Sequence, residues 1–65
     1  MSNNNDNKIE KTLRETLDRS KELLQRGELD PAAELAREIL TEHPDNGEAL
    51  YLLAVCQRFQ GLLEE

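Results

Sequence analysis

A chain of 65 residues has room for one small hydrophobic core and excludes a multidomain enzyme. Eight Lys and Arg against 14 Asp and Glu leave a net charge of -6, which repels phosphate backbones and anionic membrane surfaces and argues against a nucleic-acid partner. Twelve leucines and five alanines beside only two aromatics, Tyr51 and Phe59, suit helix packing far better than a sheet, so the predicted fold class is all-α.

The opening Ser2-Asn3-Asn4-Asn5-Asp6-Asn7 carries no apolar side chain, and residues 1–7 are predicted to be a disordered polar leader. A first helix is predicted over about 8–26. Ile9, Leu13, Leu17 and Leu24 recur at helical spacing with Leu23 beside them, and Glu10/Arg14, Lys11/Glu15, Glu15/Arg19 and Glu22/Arg26 pair four apart on the wet side. Gly27 supplies the left-handed residue that commonly closes a helix. Asp30 then stands as the cap of a second helix over 31–43, with Pro31 at its first position. Ala32, Leu35, Ala36, Ile39 and Leu40 form its stripe, and the small Ala32 and Ala36 allow a close neighbour. His43-Pro44 ends it, because a residue before proline is pushed out of helical geometry.

A third helix is predicted over 46–60, opened by a capping box of Asp45 and Glu48. Its apolar residues, Ala49, Leu50, Leu52 to Cys56 and Phe59, cover much of the circumference, so this helix requires contacts on two sides. Gly61 closes it, and residues 62–65 read as the truncated start of a further helix.

Little in this chain suggests catalysis. Cys56 has no second cysteine to pair with, which fits a reducing cytoplasm, and with His43 the only histidine there is no zinc-binding set. The predicted metals and cofactors are none. His43 and Cys56 lack a relay, Glu38/Glu42 and Glu64/Glu65 read as solvated carboxylates, and Gly27, Gly47 and Gly61 are too scattered for a phosphate loop. The longest apolar run, Ala49 to Cys56, is far short of the roughly 20 residues that span a bilayer, and no signal pattern precedes it.

An internal repeat stands out instead. Gly27 and Gly61 are 34 residues apart, as are Leu29 and Leu63, Asp30 and Glu64, Leu17 and Tyr51, and Ser20 and Ala54. A period of 34 with two helices per unit is that of the tetratricopeptide repeat. The stretch Gly27-Glu28-Leu29-Asp30-Pro31-Ala32-Ala33, followed by Pro44-Asp45-Asn46, resembles the turn, second-helix alanine and terminal proline of such a unit. Ala54 and Gly61 resemble the small residue and turn glycine of the next. The likeness covers about residues 13 to 65, one and a half repeats. Thr16, Arg19 and Ser20 depart from it where the family usually has a large aromatic, a leucine and a glycine.

The resemblance implies a helix-turn-helix hairpin plus one additional helix. It also implies a protein–protein interaction module that binds a peptide or helix in a shallow groove and catalyses nothing itself. Residues similar to the family's concave lining are Leu17, Lys21 and Gln25 of the first helix and Tyr51, Val55, Arg58 and Phe59 of the third, with Arg14, Leu24 and Glu48 beside them. These seven are the candidate partner-binding residues, Leu17, Tyr51 and Phe59 as apolar anchors and Lys21 and Arg58 as charge selectors. Leu17 and Leu52 depart from the subtype that grips C-terminal carboxylates. A helical pair buries its apolar side only against neighbours, so the unfinished second unit implies either missing C-terminal repeats or a homo-oligomer that borrows its cover. Two alternatives follow: the N-terminal repeat region of a larger bacterial enzyme such as a sulfotransferase fusion, or a self-associating helical structural protein.

Overall fold

Three helices, α1 (Asn4–Gln25), α2 (Leu29–Glu42) and α3 (Gly47–Glu64), make up the fold in a computed structural model that describes the backbone of residues 4–64 and the side chains of residues 11–62. The architecture is all-α, a helical hairpin with one further helix, with no strand among the described residues. α1 begins at Asn4, within the stretch expected to be a leader, while residues 1–3 lie outside the described residues. Extending a helix that already exists needs no core contact, because each added residue gains a hydrogen bond for one pair of dihedrals fixed.

The turn after α1 forms as its glycine predicts. Gly27 has φ +81°, and the Glu28 and Gly27 amides donate to the Leu23 and Leu24 carbonyls at 2.9 and 3.0 Å. This pair of bonds satisfies the last carbonyls of α1 and needs a left-handed residue between them.

Three helix ends differ from expectation. α2 starts at Leu29 and its N-cap residue is Glu28, which makes no side-chain cap bond. Asp30 therefore lies inside the first turn, where its Oδ1 accepts a 2.6 Å hydrogen bond from Gln60 Nε2 of α3. Pro31 still fits, since first-turn amides have no intrahelical acceptor. In α3 the cap is Asn46, whose Oδ1 accepts from the Ala49 amide at 2.8 Å, while its carbonyl accepts from Leu50 at 3.0 Å. Asp45 stands one residue too early, and Glu48 turns toward α1 instead of back onto the cap. Finally, α3 runs through Gly61 to Glu64, in place of a helix ending at 60 and another starting at 62. Gly27 turns because α2 folds back on α1, whereas Gly61 lies within α3.

α2 packs along both neighbours, whereas α1 and α3 meet more sparingly. Leu17, Ala36, Ile39, Ala49 and Leu52 form one buried cluster, and Leu23, Ala32, Ala33 and Cys56 form a second. Ala32, Ala33, Ala36, Ala49 and Cys56 are wholly buried, and such small side chains let helix backbones approach closely. Ser20 is also wholly buried, and its Oγ donates to the Ala32 carbonyl at 2.9 Å across the α1–α2 contact. A buried hydroxyl needs such a partner.

Leu17, at 2% exposure, occupies the centre of this packing. Leu17→Ala is expected to lower the unfolding free energy by about 2 to 5 kcal/mol. Ala36→Leu, which overfills the α2–α3 contact, should cost about 1 to 3 kcal/mol. Urea titrations followed by circular dichroism measure both, and an unchanged midpoint for either would contradict the packing described.

Candidate functional site

Along the side where α1 and α3 approach each other, away from α2, a row of polar side chains closes the gap. Lys21 Nζ lies 2.7 Å from Glu48 Oε2, and Arg14 Nη1 lies 3.6 Å from Glu48 Oε1. One carboxylate of α3 thus meets two cations that occupy one side of α1, seven residues apart. The hydrogen bond from Lys21 holds the Glu48 carboxyl below its ordinary value; partial desolvation opposes this, and the Lys21 and Arg14 charges reinforce it. All three side chains reach solvent, so the cluster contributes little to the stability of the fold.

Helical spacing from Glu48 sorts the candidate residues of α3. Val55 and Phe59 follow it by seven and eleven positions and share its row, half-buried and exposed respectively. Across from them on α1 stand Lys21, half-buried, and Gln25, exposed one turn further on. Of these four, contact across the two helices is made through Lys21, which meets Glu48 of the same α3 row. Tyr51, 69% exposed, and Arg58 belong to the next row of α3, together with Leu62. Leu17 is different. It faces the core, where Ala36, Ile39, Ala49 and Leu52 enclose it, and it is not available as an anchor. The family resemblance implied an anchor in the concave lining; the packing of Ala36 and Leu52 around Leu17 makes it a core residue instead.

Residues with reactive side chains are engaged in packing. Cys56 is free and wholly buried against α2, and burial pushes its thiol up, the Arg37 charge offsetting part of this. A neutral, enclosed thiol is a poor nucleophile. Among the described residues no three His, Cys, Asp or Glu side chains are placed to hold a metal ion, and no helix is long and apolar enough to cross a membrane.

One concavity escaped sequence reasoning. Between α1 and α2, Thr16, Leu23, Pro31 and Leu35 line an open cleft of about 560 Å³ together with Glu15, Arg19, Glu28, Glu34 and Glu38. Glu34 and Glu38, four apart on the wet side of α2, were its sequence signal; only the crossing of α1 and α2 shows that they overhang apolar surface.

With this geometry in place, comparison with known proteins is informative. A family model described as tetratricopeptide repeat matches residues 23–65, more than half of the chain. The chain belongs to the tetratricopeptide repeat family. No protein of curated function and no solved structure gives a match. Members of this family are protein-interaction modules, typically non-catalytic, that bind proteins or peptides. The matched segment takes in the last turn of α1 with all of α2 and α3, and leaves out Thr16, Arg19 and Ser20, where the sequence departs from the repeat pattern. Ser20 has its own structural reason, the hydroxyl bridge to Ala32.

Two measurements test the site. NMR titration of Glu48 should give a pKa below the ordinary glutamate value, rising toward it in Lys21→Met. Because the folded-state value is the lowered one, the contribution of Glu48 to stability is present above the ordinary carboxylate range and is lost as pH falls through the lowered value. For Cys56, a disulfide reagent at mildly alkaline pH should react slowly with the folded protein and rapidly in denaturant; equal rates would place the thiol at the surface.

Proposed function

We propose that the groove between α1 and α3 is a peptide-binding site that takes a short extended or helical segment, with an apolar side chain against Val55 and Phe59 and an acidic group near Lys21. The observation that carries this reading is the distribution of exposed apolar surface. The large exposed hydrophobic residues among the described ones, Leu50, Tyr51, Phe59 and Leu62, all belong to α3. A helix with apolar residues on its solvent side is built for contact with something else, and Phe59 shares the helix row of Glu48, whose carboxylate meets Lys21 of α1.

Arg14 and Lys21 bring two positive charges to α1, offset by Glu48 of α3 and by the exposed Asp18 one turn from each, so an acidic ligand would be met by the partly exposed Lys21 ammonium and not by a net positive surface. A ligand carboxylate would share Lys21 with Glu48, and such partly solvated charge serves specificity and encounter more than affinity. Affinity comes from the apolar contact, where a few well-packed residues carry most of the energy.

An acidic-apolar peptide selected from a random display library against the whole chain provides the probe. Phe59→Ala is expected to weaken its binding about thirtyfold, the size of an interface hot spot, and Lys21→Gln should reduce affinity several-fold and flatten its salt dependence. Selected peptides whose affinity ignores both substitutions would remove the groove assignment.

A further inference from the structure

Glu48 fills a place that its neighbouring charges would otherwise offer to an anion from outside. Its two carboxylate oxygens are divided between two cations, Oε2 lying 2.7 Å from Lys21 Nζ and Oε1 lying 3.6 Å from Arg14 Nη1. Positions 14 and 21 are two turns apart, about 10 Å along the axis of α1, so long side chains from different turns reach one carboxyl group. Two cations gather about one point only around an anion, because like charges repel. Asp18 is exposed within one turn of both, yet it forms no ion pair among the described residues, and the cations meet the carboxylate of α3 instead. Held below its ordinary pKa, the Glu48 carboxyl is ionised at neutral pH. Lys21 and Glu48 each keep 41% of their side-chain surface exposed, so a ligand can reach the short contact between them.

We propose, resting on the peptide site above, that Glu48 is a built-in competitor for the acidic group of the ligand, and that binding is an exchange in which the incoming carboxylate takes Lys21 while Glu48 keeps its second contact, with Arg14. The division of its oxygens keeps this exchange small. Lys21 has a carboxylate partner before and after, and Glu48 is never left without a cation. All the groups stay partly solvated throughout, which holds the energies to the scale of exposed ion pairs.

Selectivity follows from the same contact. A ligand without a carboxylate leaves Lys21 with Glu48 and gains nothing from either. A ligand amine or guanidinium near this place meets Lys21 and Arg14 with Glu48 already engaged, so basic segments are rejected by like charge. Acidic segments bind, with an affinity lowered by what it costs to move Glu48 off Lys21. Glu48 thus sets how strong an acidic ligand must be, and Arg14 acts through Glu48 as a positioning residue without touching the ligand.

The acidic-apolar peptide selected against the whole chain is one probe, and inorganic phosphate, a bare anion, is the other. Glu48→Gln keeps the shape of the side chain and leaves the Asn46 cap in place. It is expected to tighten peptide binding about fivefold, the equivalent of one exposed ion pair. Glu42→Gln, which removes an exposed carboxylate of α2, changes net charge equally and should leave the affinity as it was. Arg14→Gln should weaken binding several-fold in the unmodified chain and have little effect in the Glu48→Gln background, a coupling that net charge does not produce. By NMR, millimolar phosphate should shift the Arg14 and Lys21 side-chain resonances in Glu48→Gln and leave them in place in the unmodified chain. Circular dichroism reports folding; if Glu48→Gln is unfolded, Glu48→Asp, one methylene too short to hold both cations, should change peptide and phosphate binding in the same direction.

Equal gains from Glu48→Gln and Glu42→Gln would overturn the proposal, since net charge would then account for both. So would phosphate shifts that are the same in both chains or missing from both. Unchanged peptide affinity in Glu48→Gln, with Phe59→Ala and Lys21→Gln still weakening binding, keeps the peptide site and removes the competitor. A peptide indifferent to Phe59→Ala and Lys21→Gln removes the peptide site itself, and the exchange with it.

Discussion

The α1 and α2 backbones come close enough for a serine hydroxyl on one to reach a carbonyl on the other, and the rest of the molecule depends on that approach. Ser20 and Ala32 meet there with no exposed surface, and Ala33 and Ala36 continue the same run of small side chains along α2 toward α3. Helices packed at such distances leave no space for a larger residue, so the position of α2 is defined by volume rather than by a specific polar contact. Leu17 and Leu52, brought in from α1 and α3, fill the space that remains around Ala36 and Ala49. Because α2 touches both neighbours, its alanines set the spacing of α1 and α3 as well.

From that placement the behaviour of α3 follows. One side of this helix is buried against α2, and its remaining apolar residues have nothing to pack on within the described chain. The Arg14–Lys21–Glu48 cluster aligns α3 with α1 but contributes little net stability at the surface. The inside and the outside of the hairpin thus draw on the same short segment, with Cys56 and Leu52 buried while Val55 is half-buried and Phe59 and Leu50 are exposed. A repeat fold distributes its surfaces in this way because each helical pair is finished only by a neighbour.

Much of this was legible in the residues. The repeat of 34, the helical spacing of the leucines and the isolated Gly27 and Pro44 place three helices and the family, because each signal is local and follows from backbone geometry. The unusual breadth of the apolar surface on α3 was likewise visible in its composition. The helix ends were less legible: Asp30, Asp45 and Asn46 all have the chemistry of a cap, and a shift of one residue decides which oxygen reaches the amides. Asn46 succeeds because α3 begins at Gly47, and Asp30 is drawn into a bond with Gln60 thirty residues away. The candidate site divides similarly. Val55, Phe59, Lys21 and Gln25 are half-buried or exposed, but Leu17, named with them from the resemblance, lies in the core, since a position in a repeat gives direction around an axis and not depth beneath a neighbour.

Sequence by itself determined the all-α class, the repeat, the acidic charge and the two-sided demand of α3, for these depend on side-chain type and on spacing along one chain. Tertiary structure decided which of the two sides is satisfied, where Glu48 finds its cations, and that Glu34 and Glu38 overlook apolar surface. Those outcomes depend on the distance and angle between helix axes, which are set by the summed packing of many side chains and are recorded at no single position.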